Sequence, residues 1–115
     1  MLTLPPSVRI FVAAAPVDMR RSFDGLAMLA REVIRQDPLS GHMFVFRNRS
    51  GDKLKALWWD RHGFCIHYRR LEEGVFEFPP AEGGAVEITA GDLAMMIEGI
   101  SLSCAGRRRR FSMPR

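Results

Sequence analysis

Cysteine is scarce in this chain: Cys65 and Cys104 are the whole supply. Two thiols can form one bridge but no disulfide framework, and free thiols suit a reducing compartment. Long apolar runs are missing too. The longest, Ile10 to Ala15, is broken by Pro16 and falls far short of the roughly 20 residues that a membrane helix needs. No basic, apolar and small-residue segments follow one another at the amino terminus, so the expectation is a cytoplasmic protein without membrane attachment.

The marks of an enzyme are also lacking. There is no phosphate loop, no serine in a recognisable nucleophile setting and no carboxylate cluster fit for two divalent ions. Asp18 and Asp24 fall where a helix begins and Asp60 where a turn opens, local duties that account for each of them. Cys65 and His67 lie two residues apart without a second close pair, whereas structural zinc sites use two short-spaced pairs. His42 reads as a loop residue satisfying a backbone group. The chain is expected to be no enzyme, with no metal and no cofactor.

What the chain has in quantity is polarised positive charge. From Arg47 to Arg70, seven cations face only Asp52 and Asp60, a local charge of +5, and Arg107, Arg108, Arg109, Arg110 and Arg115 add another +5. Because the whole chain carries only +4, the remainder must be −6. Charge segregated in this way points to a polyanionic partner.

At 115 residues, 47% hydrophobic and 26% charged, the chain can fold around one core without staples. One domain over residues 1–104 and a flexible basic tail over 105–115 are expected. Val8 to Ala13, bounded by prolines, reads as a first strand. Ser22 or Asp24 can cap a helix of about residues 23–36, whose Leu26, Leu29, Ala30, Val33 and Ile34 recur at helical spacing until Asp37-Pro38. Met43–Asn48, Lys53–Trp59 and Phe64–Arg70 then form three strands. Ser50-Gly51-Asp52 and Arg61-His62-Gly63 are the reversals, where glycine tolerates positive φ. Val75–Phe78 reads as a short fourth strand and Ala85–Thr89 as an edge strand. Thr89 caps a last helix through Leu93, Met96 and Ile97, which Gly99 ends. The expected class is α+β: a small antiparallel sheet, a central three-strand meander plus edge strands, with two helices packed mainly on one face.

Period-two alternation then places Leu54, Ala56, Trp58, Phe64, Ile66 and Tyr68 in the core. The other face would gather Lys53, Lys55, Leu57 and Trp59 with Cys65, His67 and Arg69, joined by Arg47. Cations mixed with an indole and an imidazole can track phosphates while Trp59 or His67 stacks on a base, and duplex DNA is equally compatible. A solvated sheet face with snorkelling cations would look the same. The expected nucleic-acid contacts are Arg47, Arg49, Lys53, Lys55, Trp59, Arg61, His67, Arg69, Arg70 and the tail's Arg107, Arg108, Arg109 and Arg110.

Whole words of the sequence carry a resemblance. Asp18-Met19-Arg20-Arg21-Ser22-Phe23-Asp24-Gly25-Leu26, Ser40-Gly41-His42-Met43-Phe44-Val45-Phe46-Arg47-Asn48-Arg49, Leu54-Lys55, Trp59-Asp60, Gly63-Phe64-Cys65, Arg69-Arg70-Leu71 and Gly74-Val75-Phe76 closely resemble the TnpB accessory proteins, encoded by the second open reading frame of the insertion-sequence-66 family. These are distinct from the RNA-guided nucleases that share the TnpB name. The resemblance spans roughly residues 8 to 100 and leaves the arginine tail to be argued on charge alone. It implies a bacterial mobile-element protein encoded beside a larger transposase that holds the catalytic acids, with an auxiliary and non-catalytic role in transposition. The expected partners are DNA and that transposase. A module that docks on the transposase without touching DNA is the competing expectation, and would need an apolar patch around Leu57 and Trp59.

Overall fold

The computed structural model describes residues 7–98. Five strands form one sheet: β1 (Ile10–Ala13), β2 (Met43–Arg47), β3 (Lys53–Trp59), β4 (Phe64–Arg70) and β5 (Ala85–Ile88), in the order β4-β3-β2-β1-β5. β1 and β2 are parallel, and every other pairing is antiparallel. The expected meander is therefore present as β2-β3-β4, and the Ala85 strand lies at the opposite edge.

Helix α1 (Phe23–Leu29) makes the crossover between β1 and β2 and continues as a π-helical turn over Ala30–Ile34. Ser22 stands at its N-cap without a side-chain hydrogen bond. Arg35 ends the helix in the left-handed conformation, φ 68, and the Gln36 amide donates back to the Ala30 carbonyl. Helix α2 (Ala90–Ile97) begins in a capping box: the Thr89 hydroxyl accepts from the Asp92 amide while the Asp92 carboxylate accepts from the Thr89 amide. The expected stop at Gly99 lies outside the described residues.

The α+β class holds, but the two helices cover opposite faces of the sheet. Leu93, Met96 and Ile97 of α2 pack with Ile10, Val12, Met43, Val45, Leu54 and Ala56. Leu26, Ala27, Ala30 and Ile34 of α1 and its π turn pack with Phe11, Ala13, Phe44, Phe46 and Leu57. Every residue of β1 is therefore buried, as are the first four of β2. That is why these strands read Ile-Phe-Val-Ala and Met-Phe-Val-Phe with no polar alternation. Gly84 lets the chain before β5 pass the end of the π turn, where a Cβ would collide with the Val33 carbonyl. The expected fourth strand at Val75–Phe78 is absent: Phe76 is a buried anchor whose amide donates to the Gly51 carbonyl at 2.8 Å. No helix among the described residues is long and apolar enough to cross a membrane.

Candidate nucleic-acid interface

The register of β3 against β4 decides which cations share a surface. Trp59 pairs with Phe64, Leu57 with Ile66, Lys55 with Tyr68 and Lys53 with Arg70. Cross-strand partners project to the same side, so Lys53, Lys55, Leu57 and Trp59 share the α1 face with Phe64, Ile66, Tyr68 and Arg70. Cys65, His67 and Arg69 lie on the α2 face with Leu54, Ala56 and Trp58, and Arg47, paired with Leu54, joins them. The expected common basic face is thus divided between two sides of the sheet.

Several expected contacts have structural work instead. Lys55 is buried, at 8% exposure, and its ammonium donates to the Met19 and Arg21 carbonyls at 2.7 and 2.8 Å while sitting 4.7 Å from the Tyr68 ring centroid. A lysine so held cannot also reach a phosphate; it ties the loop before α1 to the sheet. Arg47 donates to the Ala14 carbonyl and lies over the Phe78 ring. Trp59 is half-buried, edge-on to Phe64, and Leu57 is fully buried, so Leu57 takes no part in the apolar docking patch expected around this pair. His67 is half-buried and its Nε2 has no hydrogen-bond partner among the described residues. Burial first, and the nearby Arg69 charge second, push its imidazole below the usual range. Arg61 is exposed at the far turn. Arg107 to Arg110 lie outside the described residues.

Arg69, half-buried on the α2 face, stands apart from the others, and the structure places Arg49, Lys53 and Arg70 around a cleft. Asn48 builds its near wall. Its side-chain oxygen accepts from the Gly51 and Lys53 amides, both at 3.0 Å, and its amide nitrogen donates to Ser50 and Asp52. Gly51 takes φ 80 at the reversal, a value glycine adopts without strain. The far wall is the loop carrying Pro16 to Arg20, the segment that Lys55 holds down. Between them lies a hollow of about 600 Å³ whose lining includes Asp18, Arg20, Arg49, Lys53 and Tyr68. A second hollow of about 410 Å³, lined by Lys53, Tyr68, Arg70 and Glu72, adjoins it.

Two of the four rim cations are held by neighbouring carboxylates, Arg20 by Asp18 at 2.7 Å and Arg70 by Glu72 at 3.1 Å. Hydrogen bonds from Arg20 draw the Asp18 carboxyl down to about 2, so that pair stays charged at any ordinary pH. Arg49 and Lys53 have no ion-pair partner among the described residues. Tyr68 is 51% exposed, an aromatic ring standing among cations, which is the combination that binds a phosphate chain and its bases.

Alternation places Tyr68 in the core and gives Arg20 no site role, whereas the structure sets both on the rim of the cleft. The available signal for Arg20 was the word Asp18-Met19-Arg20-Arg21 itself. Elsewhere the local readings stand: His42 Nδ1 accepts the Arg9 amide, and Asp60 organises its turn by accepting from the His62 and Gly63 amides. Among the described residues no three His, Cys, Asp or Glu side chains come together as a metal site.

Residues 8–107 match the family model described as IS66 Orf2-like protein. The chain is similar to two proteins of Sinorhizobium fredii, each bearing only a systematic label. Uncharacterized protein y4hO is 43% identical over 100 residues, 87% of either chain. Uncharacterized protein y4jC is 35% identical over 101 residues, covering 88% of this chain and 86% of its own. No solved structure matches.

Proposed function

The chain belongs to the IS66 Orf2-like family, and from that premise we propose that it is a non-catalytic accessory factor for insertion-sequence transposition that binds DNA through the cleft at the Asn48 turn and assists a separate transposase. The family itself points to the accessory role in transposition. The observation that supports DNA binding is the meeting of Arg20, Arg49 and Lys53 with an exposed tyrosine across one concave surface. Guanidinium and ammonium groups gathered on one surface gain most from a chain of phosphates, because each contact releases counterions.

If the two unpaired cations, Arg49 and Lys53, each neutralise a phosphate, they alone should contribute roughly −1.5 to −2 to the slope of log affinity against log salt. A titration of labelled DNA with the full chain over several salt concentrations reads this directly. Absence of binding at low salt would overturn the proposal. A second reading, docking on the transposase without DNA contact, draws support from Phe23, Met28 and Val33, exposed apolar side chains on α1 and its π turn. Co-purification with the transposase that persists in high salt and is lost on Phe23→Ser with Met28→Ser would favour it.

A further inference from the structure

We propose that the cleft takes a single-stranded segment of nucleic acid, with an unpaired base laid on Tyr68 and consecutive phosphates on Arg49, Lys53 and Arg70. The inference rests on the nucleic-acid reading above and names the form of nucleic acid that fits.

Three observations carry it. First, Tyr68 is presented rather than packed. It belongs to the edge strand β4 and remains half exposed. The Lys55 ammonium, itself fixed by two carbonyls, stands against the ring. The ring is thereby held in place before any ligand arrives, so stacking costs little further ordering. Second, Tyr68 and Lys53 line both hollows, about 600 and 410 Å³, so they form the divide between two adjoining spaces. Both spaces are open to solvent beside the ring, so an unpaired base can reach Tyr68, whereas the paired bases of a duplex keep their faces stacked on one another. Third, the cations fall on either side of that divide: Arg49 in the first hollow, Arg70 in the second, Lys53 in both. The carboxylates of the lining, Asp18 and Glu72, are engaged by Arg20 and Arg70, which offsets the repulsion they would exert on a phosphate chain.

The test is an anisotropy titration of the full chain with three labelled probes of equal length: a thymidine single strand, the same backbone without bases, and a duplex. The thymidine strand should bind on the order of tenfold more tightly than the abasic strand, the gain expected of a stacked base. Tyr68→Ala should erase that difference and Tyr68→Phe should keep it. Equal affinity for thymidine and abasic strands in the unaltered protein overturns the inference, and needs no variant to fold. If the duplex still binds in that case and weakens on Arg49→Glu, the accessory DNA-binding reading survives without the single-strand assignment. Failure of all three probes to bind overturns both.

Discussion

The two turns of the meander are built alike and surrounded differently. At one, Asn48 accepts two backbone amides and folds the chain over Gly51; at the other, Asp60 accepts two backbone amides and folds it over Arg61. Both carry exposed arginine, Arg49 and Arg61. The Asn48 turn faces a second wall, the Pro16–Arg20 loop, and becomes one side of a cleft. The Asp60 turn lines neither of the two hollows that meet at Tyr68. The wall opposite Arg49 is supplied by a segment some thirty residues earlier in the chain.

The strongest way to break this contrast is to release the wall. Lys55→Met should leave the Met19 and Arg21 carbonyls without their donor and cost about 2–4 kcal/mol in urea unfolding. Lys53→Met, on the same strand and face but at the open rim, should cost less than about 0.5 kcal/mol. Equal losses would mean that Lys55 is not the tether. A smaller effect separates the turns themselves. Gly51→Ala puts a side chain at φ 80 beside Val75 and should destabilise by about 1–2 kcal/mol, while Arg61→Gly relieves a left-handed arginine at φ 82 and should stabilise by about 0.5–1 kcal/mol. Both can be read from thermal melts.

The smallest effect belongs to the α2 face. The folded protein holds His67 below the usual imidazole range, so below that range the unfolded chain binds a proton that the folded one resists. Stability should be full above the unfolded imidazole value and decline as pH falls through the lower folded value. His67→Gln should flatten that decline; an unchanged pH profile would assign it to other groups.

Much of this was legible in the sequence and some of it could not be. The meander, the Leu26, Ala30 and Ile34 stripe and the Thr89 cap are local patterns that the chain obeys, whereas Val33, expected on the same stripe, is exposed on the π turn that interrupts the helix. The division of cations between faces depended on a single count. A three-residue reversal at Arg61-His62-Gly63 would put Lys53 and Lys55 beside His67 and Arg69, but four residues separate the paired Trp59 and Phe64, and a slip of one reverses every side chain. The placement of the helices was available in principle, because β1 is apolar throughout and β2 at every position but Arg47, which a sheet covered on one side does not require. Tyr68 is in phase with Phe64 and Ile66, which pack against the α1 core, yet it stands exposed over the cleft, a difference that alternation alone does not carry. The burial of Lys55 had no local signal, since its acceptors are backbone carbonyls more than thirty residues away.

We expect the Asn48 turn, and not the Asp60 turn, to meet the phosphates. That expectation is tested most directly by the salt slope of DNA binding for Arg49→Glu with Lys53→Glu beside Arg61→Glu, each against the unaltered chain. The account predicts that the double variant makes the slope shallower by about 1.5–2, as expected when two phosphate contacts are lost, while Arg61→Glu leaves it unchanged. A slope that responds to Arg61 and ignores Arg49 and Lys53 would contradict it.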